Sequence, residues 1–108
     1  MADKCENKLT IFGKKQGLKE FRDFFNSTTM KAKLYRKEEQ IKRVSDFKLF
    51  YEFETKWDPP VPIIEEASKI FPMLLFKLRY ERWMSFEEGY FILMNSEVIL
   101  DITRGYDS

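Results

Sequence analysis

The side chains that could do chemistry are few: one cysteine, three adjacent pairs of glutamates, a run of cations, and no histidine. Without histidine the chain lacks the commonest general base and metal ligand, and every Ser-His or Cys-His arrangement. Cys5 stands alone, so no intrachain disulfide forms, which agrees with a reducing compartment. Lys4 and Lys8 would favour its thiolate, but Glu6 offsets them, and a small packing residue is the expected role. Asn7 is expected to bond to backbone at a strand entry. The pairs Glu38-Glu39, Glu65-Glu66 and Glu87-Glu88 are sequence neighbours. Adjacent side chains on a helix or strand point different ways, so no pair alone sets two carboxyls across a substrate. No loop alternates acidic ligands as a calcium loop does, and no glycine-rich phosphate loop is present. The expectation is a protein with no catalytic residue, no metal and no cofactor.

Lys31, Lys33, Arg36, Lys37, Lys42 and Arg43 face only Glu38 and Glu39, a local balance of +4. Such a segment suits phosphates, with strong salt dependence, or an acidic protein surface. Residues 1–56 carry fourteen Lys/Arg and nine Asp/Glu, and residues 57–108 carry five and nine, giving +5 and −4 within the overall +1. That asymmetry can mark an interaction face, although folding the halves together would mix the charges.

The elements that position these groups centre on residues 47–62, FKLFYEFETKWDPPVP. From Phe47 to Trp57 the odd positions are Phe, Leu, Tyr, Phe, Thr and Trp, against Lys, Phe, Glu, Glu and Lys. This period of two predicts a strand with one buried row. Asp58-Pro59-Pro60 ends it, and Pro62 suits a first helical turn. The following stripe, Ile63, Ile64, Ala67, Ile70 and Phe71, predicts a helix closed by Pro72. Upstream, Lys8–Gly13 reads as a strand, and Lys14–Asn26 as a helix carrying Leu18, Phe21, Phe24 and Phe25. Met30–Leu34 reads as a short strand, Arg36–Gln40 as a charged loop, and Ile41–Val44 as the lead into the central strand; a helix over Arg36–Arg43 is the alternative. Downstream, Met73–Trp83 alternates with Leu74, Phe76, Leu78 and Tyr80 on one side. Gly89–Met94 and Glu97–Thr103 form a hairpin about Asn95-Ser96, and Arg104–Ser108 is a tail.

A chain of 108 residues makes a single domain, 1–108, with one modest core. The order, written β-α-β-β-α-β-β, predicts an α+β, ferredoxin-like two-layer sandwich with two helices on one face of a mostly antiparallel sheet. The charged start, MADKCENK, and the lack of a long apolar run point to the cytoplasm and away from membranes. By the same phase Phe12, Phe50, Leu75 and Trp83 lie on the open side of their strands, unless a bulge hides one or two of them.

Three blocks carry a family resemblance: Cys5-x-Asn7-x-Leu9-x-Ile11-x-Gly13, then Phe53-x-Thr55-x-Trp57-x-Pro59-Pro60, then, after Pro72, Phe76-x-Leu78-x-Tyr80-Glu81. In this order they resemble the YubB ferredoxin-like family, small proteins of bacterial plasmids and phages. The chain departs from that pattern at Lys4, where the family has Trp, and in its short basic segment. The resemblance implies the ferredoxin-like fold and supplies no catalytic residues. The expected function is that of a non-enzymatic interaction protein of a phage or plasmid in the bacterial cytoplasm. It would bind a host protein, and inhibition of host defence in the manner of anti-CRISPR proteins is one concrete version. The alternative is a nucleic-acid-binding accessory protein using Lys31–Arg43. The contact residues expected are Lys31, Lys33, Arg36, Lys37, Lys42, Arg43, Phe50 and Trp83, and the open sheet face could also pair two copies of the chain.

Overall fold

The computed structural model describes residues 4–25, 40–45, 47–56, 59–82, 84 and 86–105. In chain order these form β1 (Lys4–Phe12), α1 (Lys15–Phe25), β2 (Gln40–Ser45), β3 (Lys48–Lys56), α2 (Val61–Ile70), β4 (Leu75–Arg82), β5 (Glu87–Met94) and β6 (Glu97–Gly105). The strands build a six-stranded sheet in the order β2-β3-β1-β4-β5-β6, every neighbouring pair antiparallel. The four strands β2-β3-β1-β4 with their two helices are the ferredoxin-like unit, and the β5-β6 hairpin widens its sheet at one edge. The order β-α-β-β-α-β-β is therefore one strand short: the two downstream strands of that formula are three. The short strand expected at Met30–Leu34 lies outside the described residues, and so does the loop expected over Arg36–Gln40 except for Gln40, which opens β2. Ile41–Val44, expected as a lead into the central strand, belongs to a strand of its own.

Alternation decides which rows are buried. Cys5, Asn7, Leu9 and Ile11 of β1, Leu49, Tyr51, Phe53 and Thr55 of β3, Phe76, Leu78 and Tyr80 of β4, and Phe91 and Leu93 of β5 all turn to the helix side. On α1, Leu18, Phe21 and Phe25 recur at helical spacing and bury the same stripe. The Phe21 ring makes edge contacts with Tyr51, Phe71 and Phe76 at centroid separations of 6.1, 5.6 and 5.5 Å, so one residue ties α1 to the sheet and to the end of α2. Phe25 adds Tyr51 at 4.5 Å. Pro62 sits in the first turn of α2, where a missing N–H costs nothing. That helix buries Ile64, Ala67 and Ser68, but Ile70, expected on the inner stripe, is 49% exposed.

The last strand departs furthest from expectation. The register slips between Ile92 and Leu93, so Val98 opposes Leu93 on the helix side while Leu100 and Ile102 oppose Ile92 and Tyr90 on the other face. A bulge at Ile99 thus splits what reads in sequence as one apolar row. The strand is also largely exposed, because it lies at the sheet edge. No helix among the described residues is long and apolar enough to cross a membrane.

Candidate functional site

Two surfaces are left uncovered by the described residues. The first is the face of the sheet opposite the helices. Direct Cα partners share a face in an antiparallel ladder, so its rows can be read from the registers. One row runs Lys48, Phe12, Leu75, Met94 and Glu97 from β3 to β6, and the next runs Phe50, Thr10, Lys77, Ile92 and Leu100. The third is Glu52, Lys8, Arg79, Tyr90 and Ile102, and the fourth is Glu54, Glu6, Glu81, Glu88 and Arg104. Phe12, Phe50 and Leu75 are half-buried here, as their phase predicted, and no bulge interrupts β1, β3 or β4 between themselves.

The fourth row sets four glutamates side by side on adjacent strands. Like charges directly opposite one another destabilise a sheet. Arg79 reaches Glu81 at 3.1 Å and Glu88 at 3.7 Å, and Arg104 reaches Glu88 at 3.1 Å. Glu54 has no such relief among the described residues: its Oε2 is shielded and makes no hydrogen bond. Sequence reading missed this row because its members lie as far apart as Glu6 and Glu88, and only the register aligns them.

The second surface is a cleft of about 600 Å³ beside the start of α1 and the end of α2. Its walls include Phe12, Phe47, Ile70, Phe71, Met73 and Leu74. Phe47, Ile70 and Met73 are 67%, 49% and 71% exposed. Gly13 and Gly17 let Leu74 press against the β1–α1 connection; a Cβ at Gly13 would fall 2.3 Å from Leu74 Cδ2. Gln16 donates to Glu20 at 3.2 Å on the same rim. In sequence Ile70 falls on the inner stripe of a helix and Met73 at the start of a strand, so only the assembled helix end reveals the cleft.

Of the expected contact residues, Phe50 lies in the middle of the open sheet face. Lys42 and Arg43 fall on β2, where the backbone register sets them opposite Phe50 and Leu49. Lys31, Lys33, Arg36, Lys37 and Trp83 lie outside the described residues. Cys5 is buried, its Sγ donating to Asn7 Oδ1 at 3.6 Å, while Asn7 Nδ2 donates to the carbonyls of Cys5 and Phe53 and to Thr55 Oγ1. Asn7 thus bonds to backbone as expected, and the thiol serves packing. Among the described residues no three of Cys, Asp or Glu are grouped so as to hold a metal ion.

The chain belongs to the family described as the ferredoxin-like domain in Api92-like protein, whose model matches residues 35–108. The match takes in β2 to β6 with α2, and stops short of β1 and α1. No curated protein and no solved structure matches the chain.

Proposed function

We propose that this member of the Api92-like ferredoxin-like family is a small non-enzymatic interaction protein of a bacterial phage or plasmid, akin to the YubB proteins. It works in the host cytoplasm by binding a host protein. The observation that carries this reading is the end cleft, where Phe47, Ile70 and Met73 stay in water around one apolar depression. Exposed apolar groups gathered on one concave surface mark a place where a partner seats. An apolar anchor of the host protein fills the cleft, and Met73, unbranched and polarisable, adapts to its shape. Silencing a host defence nuclease, as anti-CRISPR proteins do, is the concrete form of the activity.

The test uses the immobilised chain in bacterial lysate beside Met73→Asp and Phe47→Asp. One host protein should be retained by the parent and lost from both variants, and cells with an active defence nuclease should admit targeted DNA only when the parent is expressed. Retention of nothing, or equal retention by all three, overturns the reading. The nucleic-acid alternative rests on Lys31–Arg43 alone, and the row Glu54, Glu6, Glu81 and Glu88 on the sheet face would repel phosphate. Replacing Arg36, Lys37, Lys42 and Arg43 by Ala should abolish any binding to nucleic acid at low salt if that alternative holds.

A further inference from the structure

The end cleft is built before any partner arrives. Three backbone hydrogen bonds hold its walls: Gly13 N–H to the Phe47 carbonyl at 3.1 Å, Phe71 N–H to the Ala67 carbonyl at 2.9 Å, and Leu74 N–H to the Phe71 carbonyl at 3.1 Å. Its volume of about 600 Å³ lies within the range of ordinary ligand pockets, room enough for a bulky side chain with its flanking backbone.

The floor is apolar, but the rim is cationic. Lys14 lines the cleft, and Lys48 Nζ stands 5.6 Å from the ring centroid of Phe12, which lines it too. Among the described residues neither ammonium has a carboxylate partner. The flanking helix ends add Lys15 and Lys69, for the first turn of α1 carries no acidic residue and the last turn of α2 carries Lys69. Glu20 is the one carboxylate among the residues lining the cleft, and it already accepts from Gln16 at 3.2 Å. We propose that the host segment seated here is acidic: a bulky apolar side chain with Asp or Glu beside it. This rests on the reading of the cleft as the host-protein site, and names the chemistry its partner must have.

Desolvation makes the selection. A partner closing over the mouth strips water from Lys14 and Lys48, and a cation that loses water without gaining a partner is penalised. Carboxylates beside the apolar anchor replace that water with charge-assisted hydrogen bonds. A neutral segment of the same shape leaves both cations bare, and a basic one adds repulsion. Because the cations stand at the rim, they act chiefly on the rate of association and its salt dependence, while the apolar floor slows departure.

Fluorescence anisotropy on the full chain tests this with three short fluorescein-labelled peptides. Each has Leu-Phe at its centre, flanked by Asp in the first, Asn in the second and Lys in the third. The Asp peptide should bind about tenfold more tightly than the Asn peptide at low salt and lose that advantage at raised salt. The Lys peptide should not bind. Lys14→Glu with Lys48→Glu should invert the order in favour of the Lys peptide, with far-UV circular dichroism unchanged. Lys14→Glu alone, at an exposed position outside the sheet, should narrow the preference in the same direction, so the result does not depend on β3. Equal binding of the three peptides, no binding of the Asp peptide, or an order unmoved by the charge reversals overturns the inference. So does a chain that light scattering finds as a dimer split by Met73→Asp, since a second copy would then fill the cleft. The reading beneath it is scored separately in lysate: a host protein lost from Met73→Asp but kept by the double reversal sinks the inference alone, whereas retention of nothing sinks the reading.

Discussion

At the scale of single residues, Phe21 and Asn7 set the sharpest tests of the fold. Phe21 is 1% exposed and its ring touches the sheet and the residue that caps α2, so Phe21→Ala opens a cavity where these elements meet. Urea unfolding should show a loss of about 3–5 kcal/mol. Lys77→Ala, at an exposed position, should change stability by less than about 0.5 kcal/mol. Asn7 is an amide in an otherwise apolar row, and its side chain bridges β1 to β3 through the Phe53 carbonyl and the Thr55 hydroxyl. Asn7→Ala removes donors from buried acceptors and should cost about 1–3 kcal/mol, whereas Thr55→Val should lose less. Both roles follow from residue type in part: an asparagine between Cys5 and Leu9 announces a backbone bond, but its reach to β3 depends on a register that sequence does not state.

Elements bring the balance between propensity and packing into view. The Asn95-Ser96 turn places both central residues at positive φ, 52° and 62°, as a two-residue hairpin requires. Serine tolerates that region poorly. Ser96→Gly should therefore raise stability by about 0.5–1 kcal/mol in thermal unfolding, and the Ser96 N–H bond to Ser68 Oγ at 2.8 Å is kept because it uses the backbone. Gly89 behaves oppositely. It faces Tyr80 across β4 and β5, and a Cβ there would fall 2.2 Å from the Tyr80 ring, whose hydroxyl bonds to Thr103 on β6. Gly89→Val should cost about 1–3 kcal/mol and release that bond. The hairpin turn and the strand rows were legible because turn chemistry and period-two alternation are local signals. The burial of Tyr80 over a glycine, the bulge at Ile99 and the exposure of Ile70 were not, since each depends on what lies opposite in three dimensions. The candidate surfaces divide in the same way: Phe50 announced itself by phase, while the glutamate row and the cleft exist only once strands and helix ends are assembled.

For the whole molecule, the helices cover one side of the sheet, and the described residues leave its other side open. The end cleft lies where the two sides meet, since Phe12 of the open rows is one of its walls beside Phe47, Ile70 and Met73. Phe47 and Met73 are already 67% and 71% exposed, so trimming either removes little buried surface. Met73→Asp should therefore shift the melting temperature by no more than about 2–4 °C while removing host-protein retention. A larger fall would mean that Met73 holds the fold together rather than a partner.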